Sequence, residues 1–509
     1  MKSKKDRADE SRRRRCGACQ EGLTKQAACG VRFCSQGIFG GSVKKEVIVM
    51  NKTACIVLAA GDGKRMKSHK PKVLMNVLFK PMLGWVLDSA EGISPGEICV
   101  VVGSGEEQVK KYLEGRGRSC TTARQTERKG TGHAVMQAEN TLKNSENVLI
   151  LCGDAPFIDE ETVLNALKVH TEGGCGVTVI AAVPDDPFGY GRIIRDEKGD
   201  LLKIVEQKDA SKEELAVKEI NSGAYWFNSR ALLEALPKLS QSNAAGEYYL
   251  TDAVSLIRES GKRAAVSTAQ NKYIVLGANS RTDLSSLNEY ARERVLAELM
   301  ESGVEIPCRD GVIIGKDVRI GQDTVILPNT IIRGRCRIGS SCEIGPNTVI
   351  ESCTVGDGVT LNNVQAYESV VESGAKIGPF AQLRPGSHIG QNVKIGDFVE
   401  IKNSNIGEKT SVAHLTYLGD ADVGRGVNFG CGCVTANYDG VNKFRTKIGD
   451  DAFIGCNTNL IAPVEIGANA STGAGSTITE NVPADSLALE RADTKIIEHW
   501  EKNRLRKKK

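Results

Sequence analysis

The stretch Ile314-Gly-Lys-Asp-Val-Arg-Ile320-Gly-Gln-Asp-Thr-Val-Ile326 sets the reading of this chain. Isoleucine continues at Ile332, Ile338, Ile344 and Ile350, an unbroken series at steps of six. Four residues after each isoleucine stand Val318, Thr324, Thr330, Cys336, Cys342, Thr348 and Thr354, all small or β-branched. The period returns at Ile377, Leu383, Ile389, Ile395 and Ile401, and again at Ile448, Ile454, Leu460 and Ile466. An amphipathic helix cannot hold a step of six, which drifts against 3.6 residues per turn. A coil with flat faces of six residues can. The pattern predicts a parallel β-helix over 310–480, with isoleucines stacked inward rung on rung. Of 54 glycines, 25 fall in 311–480, where corners use them. Aromatic residues make up 5% of the chain, which suits a thin aliphatic core. The period fails twice, from 353 to 371 and at an inserted segment, 430–447. Loops that interrupt a rigid solenoid often carry function.

Upstream, 281–302 reads as one long helix. Leu284, Leu287, Ala291, Val295 and Leu299 recur at three- and four-residue steps, and Gly303 closes it. Before it, short apolar runs at 54–60, 97–103, 148–152 and 177–184 alternate with helical segments. That alternation predicts a doubly wound, Rossmann-like α/β sheet with its ligand at the carboxyl ends of the strands. The first run leads into Gly61-Asp62-Gly63, whose glycines let backbone N–H groups approach phosphates. Lys64, Arg65 and Lys72 add positive charge beside it.

The formal net charge is +4, from 67 basic and 63 acidic residues, which argues against a dedicated nucleic-acid binder. The basic excess is local: residues 1–50 hold 12 Lys and Arg against 5 Asp and Glu. Sixteen scattered cysteines form no disulfide framework and read as reduced thiols of a cytoplasmic protein. No apolar run approaches the roughly 18 residues of a membrane span. Cys16-Gly-Ala-Cys19 has metal-ligand spacing, but Cys29 and Cys34 are loosely spaced and no histidine supports them. The expectation for 1–49 is a basic, cysteine-containing extension that is disordered or not native, with a natural start at Met50.

Leu58-Ala-Ala-Gly-Asp-Gly-Lys-Arg-Met66 followed by Lys70-Pro-Lys-Val-Leu74 resembles the signature of sugar-phosphate nucleotidyltransferases, with Lys64 where that family usually has Thr. Gln125-Thr-Glu-Arg-Lys-Gly130-Thr131 resembles its uracil-reading loop. Leu151-Cys-Gly-Asp154 ends a strand in a carboxylate suited to Mg²⁺. Gly191, Glu206 and Asn221 lie in segments that resemble its sugar-binding ones, and Asn279 stands where the family supplies a second Mg²⁺ ligand. In the repeat, Phe380-Ala-Gln-Leu-Arg384, Lys402, His414-Leu-Thr-Tyr417-Leu-Gly-Asp420, Val427-Asn428 and Asn437-Tyr438-Asp-Gly440 with Lys443 are similar to the bifunctional N-acetylglucosamine-1-phosphate uridylyltransferase / glucosamine-1-phosphate N-acetyltransferases. The resemblance covers about 54–500.

It implies a left-handed coil, a homotrimer with sites between subunits, and two consecutive steps. Acetyl-CoA acetylates glucosamine 1-phosphate, with His414 as base. UTP then converts the product to UDP-N-acetylglucosamine and pyrophosphate, a product that feeds bacterial cell-wall synthesis. It implies Arg65 and Lys72 as catalytic cations, and a UTP and sugar-nucleotide site of Leu58, Ala59, Ala60, Gly61, Lys72, Gln125, Gly130, Thr131, Gly191, Glu206, Asn221 and Asn279. Asp154 and Asn279 would hold Mg²⁺. Arg384, Lys402 and Lys443 would grip the acetyl acceptor's phosphate, and Tyr417, Asn428, Asn437 and Tyr438 its sugar. Cys431, Cys456, Ala474 and Arg491 would contact acetyl-CoA, near the basic segment 504–509. Cys152, Cys431 and Cys456 replace an aromatic, an alanine and a serine of the family, changes expected to act on specificity or rate.

On a coil of about 18 residues per full turn, Glu400 and His414 are expected on adjacent rungs, where a carboxylate would orient the imidazole. The domains expected are 50–280 (uridylyltransferase), 281–303 (linker helix), 304–485 (acetyltransferase β-helix) and 486–509 (basic tail). Two rivals stand beside this reading: a monofunctional nucleotidyltransferase with a structural β-helix, and a non-catalytic scaffold subunit. The intact Gly-rich loop and the His414 segment speak against both.

Overall fold

The computed structural model describes residues 50–197 and 199–500. The expectations for 1–49 and for 504–509 lie outside the described residues. None of the described helices is long and apolar enough to cross a membrane.

The first strand, Met50–Ala59, is an interior strand of a nine-stranded sheet. It pairs in parallel with Pro95–Val102 on one side and Asn147–Cys152 on the other. Its side chains alternate between two cores: Ala54 and Ile56 pack on one face, Cys55 and Val57 on the other. Strands buried on both faces read as continuous apolar runs, which is why this element is visible in the sequence. The helices cover both faces, as a doubly wound fold requires. The sheet is mixed: Ile220–Asn228 runs antiparallel between Asn147–Cys152 and Val177–Ala182. The apolar pattern does not announce that reversal.

The helix Arg281–Glu301 starts from a capping box in which Ser280 and Asp283 exchange side-chain-to-backbone hydrogen bonds. Its buried Leu287, Ala291, Val295 and Leu296 belong to one apolar cluster. That cluster runs from Met66, Trp85 and Phe157 of the sheet region to Ile314 and the isoleucine stack of the coil.

From Ile313 onward the chain winds into three parallel sheets of 10, 9 and 10 strands, each strand pairing with the one a full turn later. The isoleucines at steps of six are buried inside, except that Ile320 is half-buried at the first turn. Most of the small residues four places on are buried beside the isoleucine stack, but at the last of them the register has slipped: Thr354 is exposed on a strand and Cys353 is buried instead. Thr324 donates to the carbonyl of Gly339 and accepts from the amide of Cys342. The corner asparagines Asn329, Asn347 and Asn363 have positive φ, and their side-chain amides link in a ladder at 3.1 Å. Turn length varies. Ile331 pairs with Val349, Val349 with Gln365, and Glu400 with Tyr417, so no single spacing describes every turn. The turn from Val434 to its partner Asn459 is longer than any of these, because 437–445 loops out of the coil between two strands.

Candidate active sites

The first site forms at the carboxyl edge of the sheet. After Ala59 the chain turns through Gly61 to Gly63, where φ is +59° and a Cβ would lie 2.7 Å from the Cβ of Lys72. Only glycine fits that approach. A cavity of about 350 Å³ opens there, lined by Leu58, Ala60, Gly61, Lys72, Gln125, Gly130, Thr131 and Asp154. Ala59 is buried with Cys55 and Val57 in the core on one face of the sheet and does not line the cavity. Arg65 is exposed on the turn after the glycine loop and is not among the residues that line the cavity.

Lys72 donates to Asp154 Oδ2 at 2.5 Å and to Asn279 Oδ1 at 2.7 Å. Two oxygens from opposite ends of the fold thus converge on one cationic centre. Asn279 is not the helix cap. Ser280 takes that role, and this leaves the Asn279 amide oxygen turned to Lys72. Gln125 donates its amide to the carbonyl of Gly130 at 3.1 Å, which closes the loop between them. Arg128 pairs with Asp62 across the cavity mouth, a clamp between two loops that sequence reasoning missed.

Gly191, Glu206 and Asn221 cluster beside this cavity. The amide of Asn221 donates to the carbonyl of Gly191 at 2.9 Å, and a Cβ on Gly191 would lie 3.4 Å from Glu206 Oε1. Burial pushes the Glu206 carboxyl above its ordinary value, with the Thr251 hydroxyl opposing the shift. Cys152 joins the two groups: it lines the cavity, and its thiol donates to the carbonyl of Gly223 at 3.4 Å. Burial pushes that thiol up to about 12, so it is an inert filler.

The second site stands on the coil. His414 ends the strand Ser411–His414, with its ring in solvent. Its Nδ1 is 2.7 Å from Asp397 Oδ1. The Glu400 expectation is therefore corrected. The turn at this level falls one short of three even hexapeptides, so Asp397 pairs in register with His414 and Glu400 with Tyr417. Glu400 instead accepts from Arg384 at 2.8 Å. The His414 hydrogen bond draws the Asp397 carboxyl below its ordinary value. A carboxylate accepting from Nδ1–H leaves the Nε2 lone pair facing solvent, the state a base needs.

Above His414 runs a column. The amide of Gly432 donates to the carbonyl of His414, that of Asn457 to Cys431 at 2.7 Å, and that of Gly475 to Cys456 at 2.8 Å. His414, Cys431, Cys456 and Ala474 are thus stacked on successive turns, and Arg491 donates to the carbonyl of Ala474 at 3.0 Å. Cys456 is exposed and Cys431 half-buried.

Across the corner at Leu415, the next face carries a cationic group. Arg384 and Lys402 lie on successive turns, since the amide of Arg384 donates to the carbonyl of Ile401. The ammonium of Lys443 stands beside Lys402 and, with Arg384 adding to it, pulls Lys402 below the ordinary lysine value. Like charges held this close call for an anion between them. Lys443 belongs to the looped-out segment, which Asn437 roots by donating to the buried Asp420. Asp420 also accepts from Asn403 at 2.5 Å. Tyr417 lays its ring over Gly419, where a Cβ would lie 2.4 Å from the phenol oxygen. Tyr438 is exposed on the loop and donates to the carbonyl of Gly440. Asn428 stands apart from this group. It is exposed on the His414 face, one turn above Ser411.

Comparison with known proteins covers both halves. Residues 55–306 match the MobA-like NTP transferase domain family, and 317–352, 368–403 and 445–480 match the bacterial transferase hexapeptide family of six repeats. The chain is 47% identical over 457 residues to the bifunctional protein GlmU of Acetivibrio thermocellus, covering 89% of this chain and 98% of that one.

The chain belongs to the bifunctional GlmU family.

GlmU of Clostridium acetobutylicum is 46% identical, over 87% of this chain and 97% of its own length. GlmU of Streptococcus thermophilus is 45% identical, over 86% and 95%. As a GlmU, the chain is an enzyme of UDP-N-acetylglucosamine synthesis with uridylyltransferase and acetyltransferase activities, and its coil is the left-handed β-helix of the hexapeptide transferases. Neither the monofunctional nor the scaffold reading is favoured.

Proposed function

We propose that the two activities reside at the two sites described and act in order. At the coil, Arg384, Lys402 and Lys443 bind the phosphate of glucosamine 1-phosphate, and Tyr417, Asn428, Asn437 and Tyr438 bound its sugar. His414 Nε2 takes the proton as the amine attacks the thioester carbonyl of acetyl-CoA. The carbon–sulfur bond breaks and the CoA thiol leaves. Cys431, Cys456, Ala474 and Arg491 form the wall against which acetyl-CoA lies. Asp397 is the positioning residue, holding the ring by Nδ1 and stabilising the imidazolium that forms.

At the sheet edge, a phosphate oxygen of N-acetylglucosamine 1-phosphate attacks the α-phosphorus of UTP, and pyrophosphate leaves. The uracil lies against Gln125, Gly130 and Thr131, and the sugar against Gly191, Glu206 and Asn221. Lys72 and Arg65 neutralise the phosphates, which is most of what such a transfer needs. The oxygens of Asp154 and Asn279 already converge on the Lys72 ammonium, so they fit a divalent cation. Among the described residues no group of three or more acidic, His or Cys side chains could hold a metal alone. Mg²⁺ commonly takes one or two carboxylates and completes its shell from phosphates and water. When bound there, Mg²⁺ would offset charge on the nucleotide and sugar phosphates.

The assembly we infer is a homotrimer in the cytoplasm. Exposed Phe380 and Phe398, stacked at 5.4 Å, and Leu415 above them form an apolar corner ridge between the two halves of the coil site. A second copy would cover that ridge and complete the site. The domain division stays as 50–280, 281–303, 304–485 and 486–509.

The observation that carries the reading is the His414 ring held by Asp397 with Nε2 free. The test is thiol release from acetyl-CoA with glucosamine 1-phosphate. His414→Ala should abolish it and leave pyrophosphate release from UTP intact; an unchanged rate would remove His414 as base.

A further inference from the structure

A further cavity lies at neither active site. It holds about 740 Å³ between the sheet region and the first turns of the coil, within the size range of small-molecule pockets. Eight Lys and Arg side chains line it against three carboxylates, Asp88, Glu91 and Asp317. The carboxylates are already engaged. Lys80 and Arg116 hold Asp88, Lys80 holds Asp317, and Arg116 and Arg118 hold Glu91. Five of the cations form no ion pair among the described residues: Lys111 on the sheet side, and Lys316, Arg319, Arg335 and Arg337 on the coil side, with Asp88 and Asp317 acting on Lys316 only from a distance. The surplus on this one cavity, +5, exceeds the net charge of the whole chain, +4.

The coil's habits make the surplus stand out. At four other places it matches a cation on one turn with a carboxylate on the next, Arg333 with Glu351, Arg384 with Glu400, Arg425 with Asp450 and Arg445 with Asp422, although Lys376 and Lys394 are like-charged register partners. At this cavity Arg319 and Arg337 are register partners on successive turns, both arginine. Like charges directly opposite on neighbouring strands repel. Lys316 is set against the Trp85 ring at 4.3 Å, and burial pushes its ammonium below the ordinary value, with Lys80 adding to the shift.

We propose that this inter-domain cavity binds a small polyanion carrying two or more phosphates, a nucleoside polyphosphate or an inorganic oligophosphate, bridging the two walls. Lys111 lines the cavity from the sheet side and Arg337 from the coil side, and a chain of phosphates offers several anionic groups to such a divided set of cations where a single phosphate offers one. Guanidinium groups favour phosphate oxygens through paired N–H donors. A ligand there would fix the sheet region against the coil.

The test is calorimetric titration of the full chain with inorganic tripolyphosphate, and separately with ATP. UDP-N-acetylglucosamine, CoA and glucosamine 1-phosphate are held at saturation to fill the catalytic sites. One saturable site should survive that saturation. It should weaken about tenfold or more in Arg335→Glu/Arg337→Glu and, independently, in Lys111→Glu on the opposite wall. It should be unchanged in Arg230→Glu, an exposed helix position outside the cavity. Tighter ATP binding would assign the ligand as a nucleotide, and equal affinity would assign the phosphate chain alone. No binding once the catalytic sites are filled, equal affinity in both cavity variants, or binding only of long polyanions such as RNA would each overturn the proposal. Because the cavity variants leave both catalytic sites untouched, their outcome is separate from the assignment of those sites.

Discussion

Asp397→Asn is the most informative change at the coil site. Asp397 holds His414 through one charge-assisted hydrogen bond of 2.7 Å. The His414 and Asp397 side chains are 58% and 39% exposed, so solvent screens the pair and its effect is modest. Losing that imidazolium stabilisation slows the acetyl step about tenfold. The asparagine amide can also donate to Nδ1, which keeps the proton on Nε2 and removes the base from part of the population. The combined expectation is a fall of about 10–100-fold in kcat for CoA thiol release, below the 10²–10⁴-fold that losing a general base commonly costs. The KM for glucosamine 1-phosphate and the rate of pyrophosphate release should not change. Glu400→Gln, which loosens Arg384 instead, should raise KM and leave kcat alone. An Asp397→Asn enzyme with parental kcat, or a kcat loss in Glu400→Gln as large as in Asp397→Asn, would refute the reasoning.

Further predictions concern single residues. Iodoacetamide should stop acetyl transfer through exposed Cys456 and spare a Cys456→Ser enzyme, while buried Cys433, its thiol pushed up to about 11, stays unlabelled by mass spectrometry near pH 8. Gly63→Ala places a Cβ 2.7 Å from the Lys72 Cβ at φ +59°, so KM for UTP should rise and thermal stability fall by about 1–3 kcal/mol. Lys402 is held below the ordinary lysine value by Lys443, so its charge is lost first as pH rises. Affinity for glucosamine 1-phosphate by calorimetry should weaken in the alkaline range before it does in a Lys443→Met variant, where the repulsion is gone.

The coil is legible in the sequence because each inward position repeats one requirement, an aliphatic side chain on a six-residue step. The first strand is legible for a similar reason, being buried on both faces. The reversed strand Ile220–Asn228 leaves no such trace, since pairing direction is not written in hydrophobicity. Asp397 escapes a reading that accepts any carboxylate on the neighbouring rung: an even 18-residue turn sets Gly396 opposite His414, the 17-residue turn observed sets Asp397 there, and Glu400, only 14 residues before His414, faces Tyr417. A shift of a few residues along the coil exchanges one carboxylate for another. The asparagine ladder and the His414–Cys431–Cys456–Ala474 column depend on unequal turn lengths, one of which includes the looped-out segment. Motif resemblance finds the members of that column without their stacking. The inter-domain cavity draws on segments as far apart in the chain as Leu78 and Arg337, so no local pattern announces it.

Two independent sites on one chain are tested most directly by complementation. His414→Ala and Asp154→Ala proteins, each alone and then mixed, are supplied with glucosamine 1-phosphate, acetyl-CoA and UTP. Neither alone should form UDP-N-acetylglucosamine, and the mixture should, with free N-acetylglucosamine 1-phosphate passing between them. A mixture that stays inactive while each protein keeps its own half-reaction, or a single substitution that abolishes both half-reactions, would contradict the account.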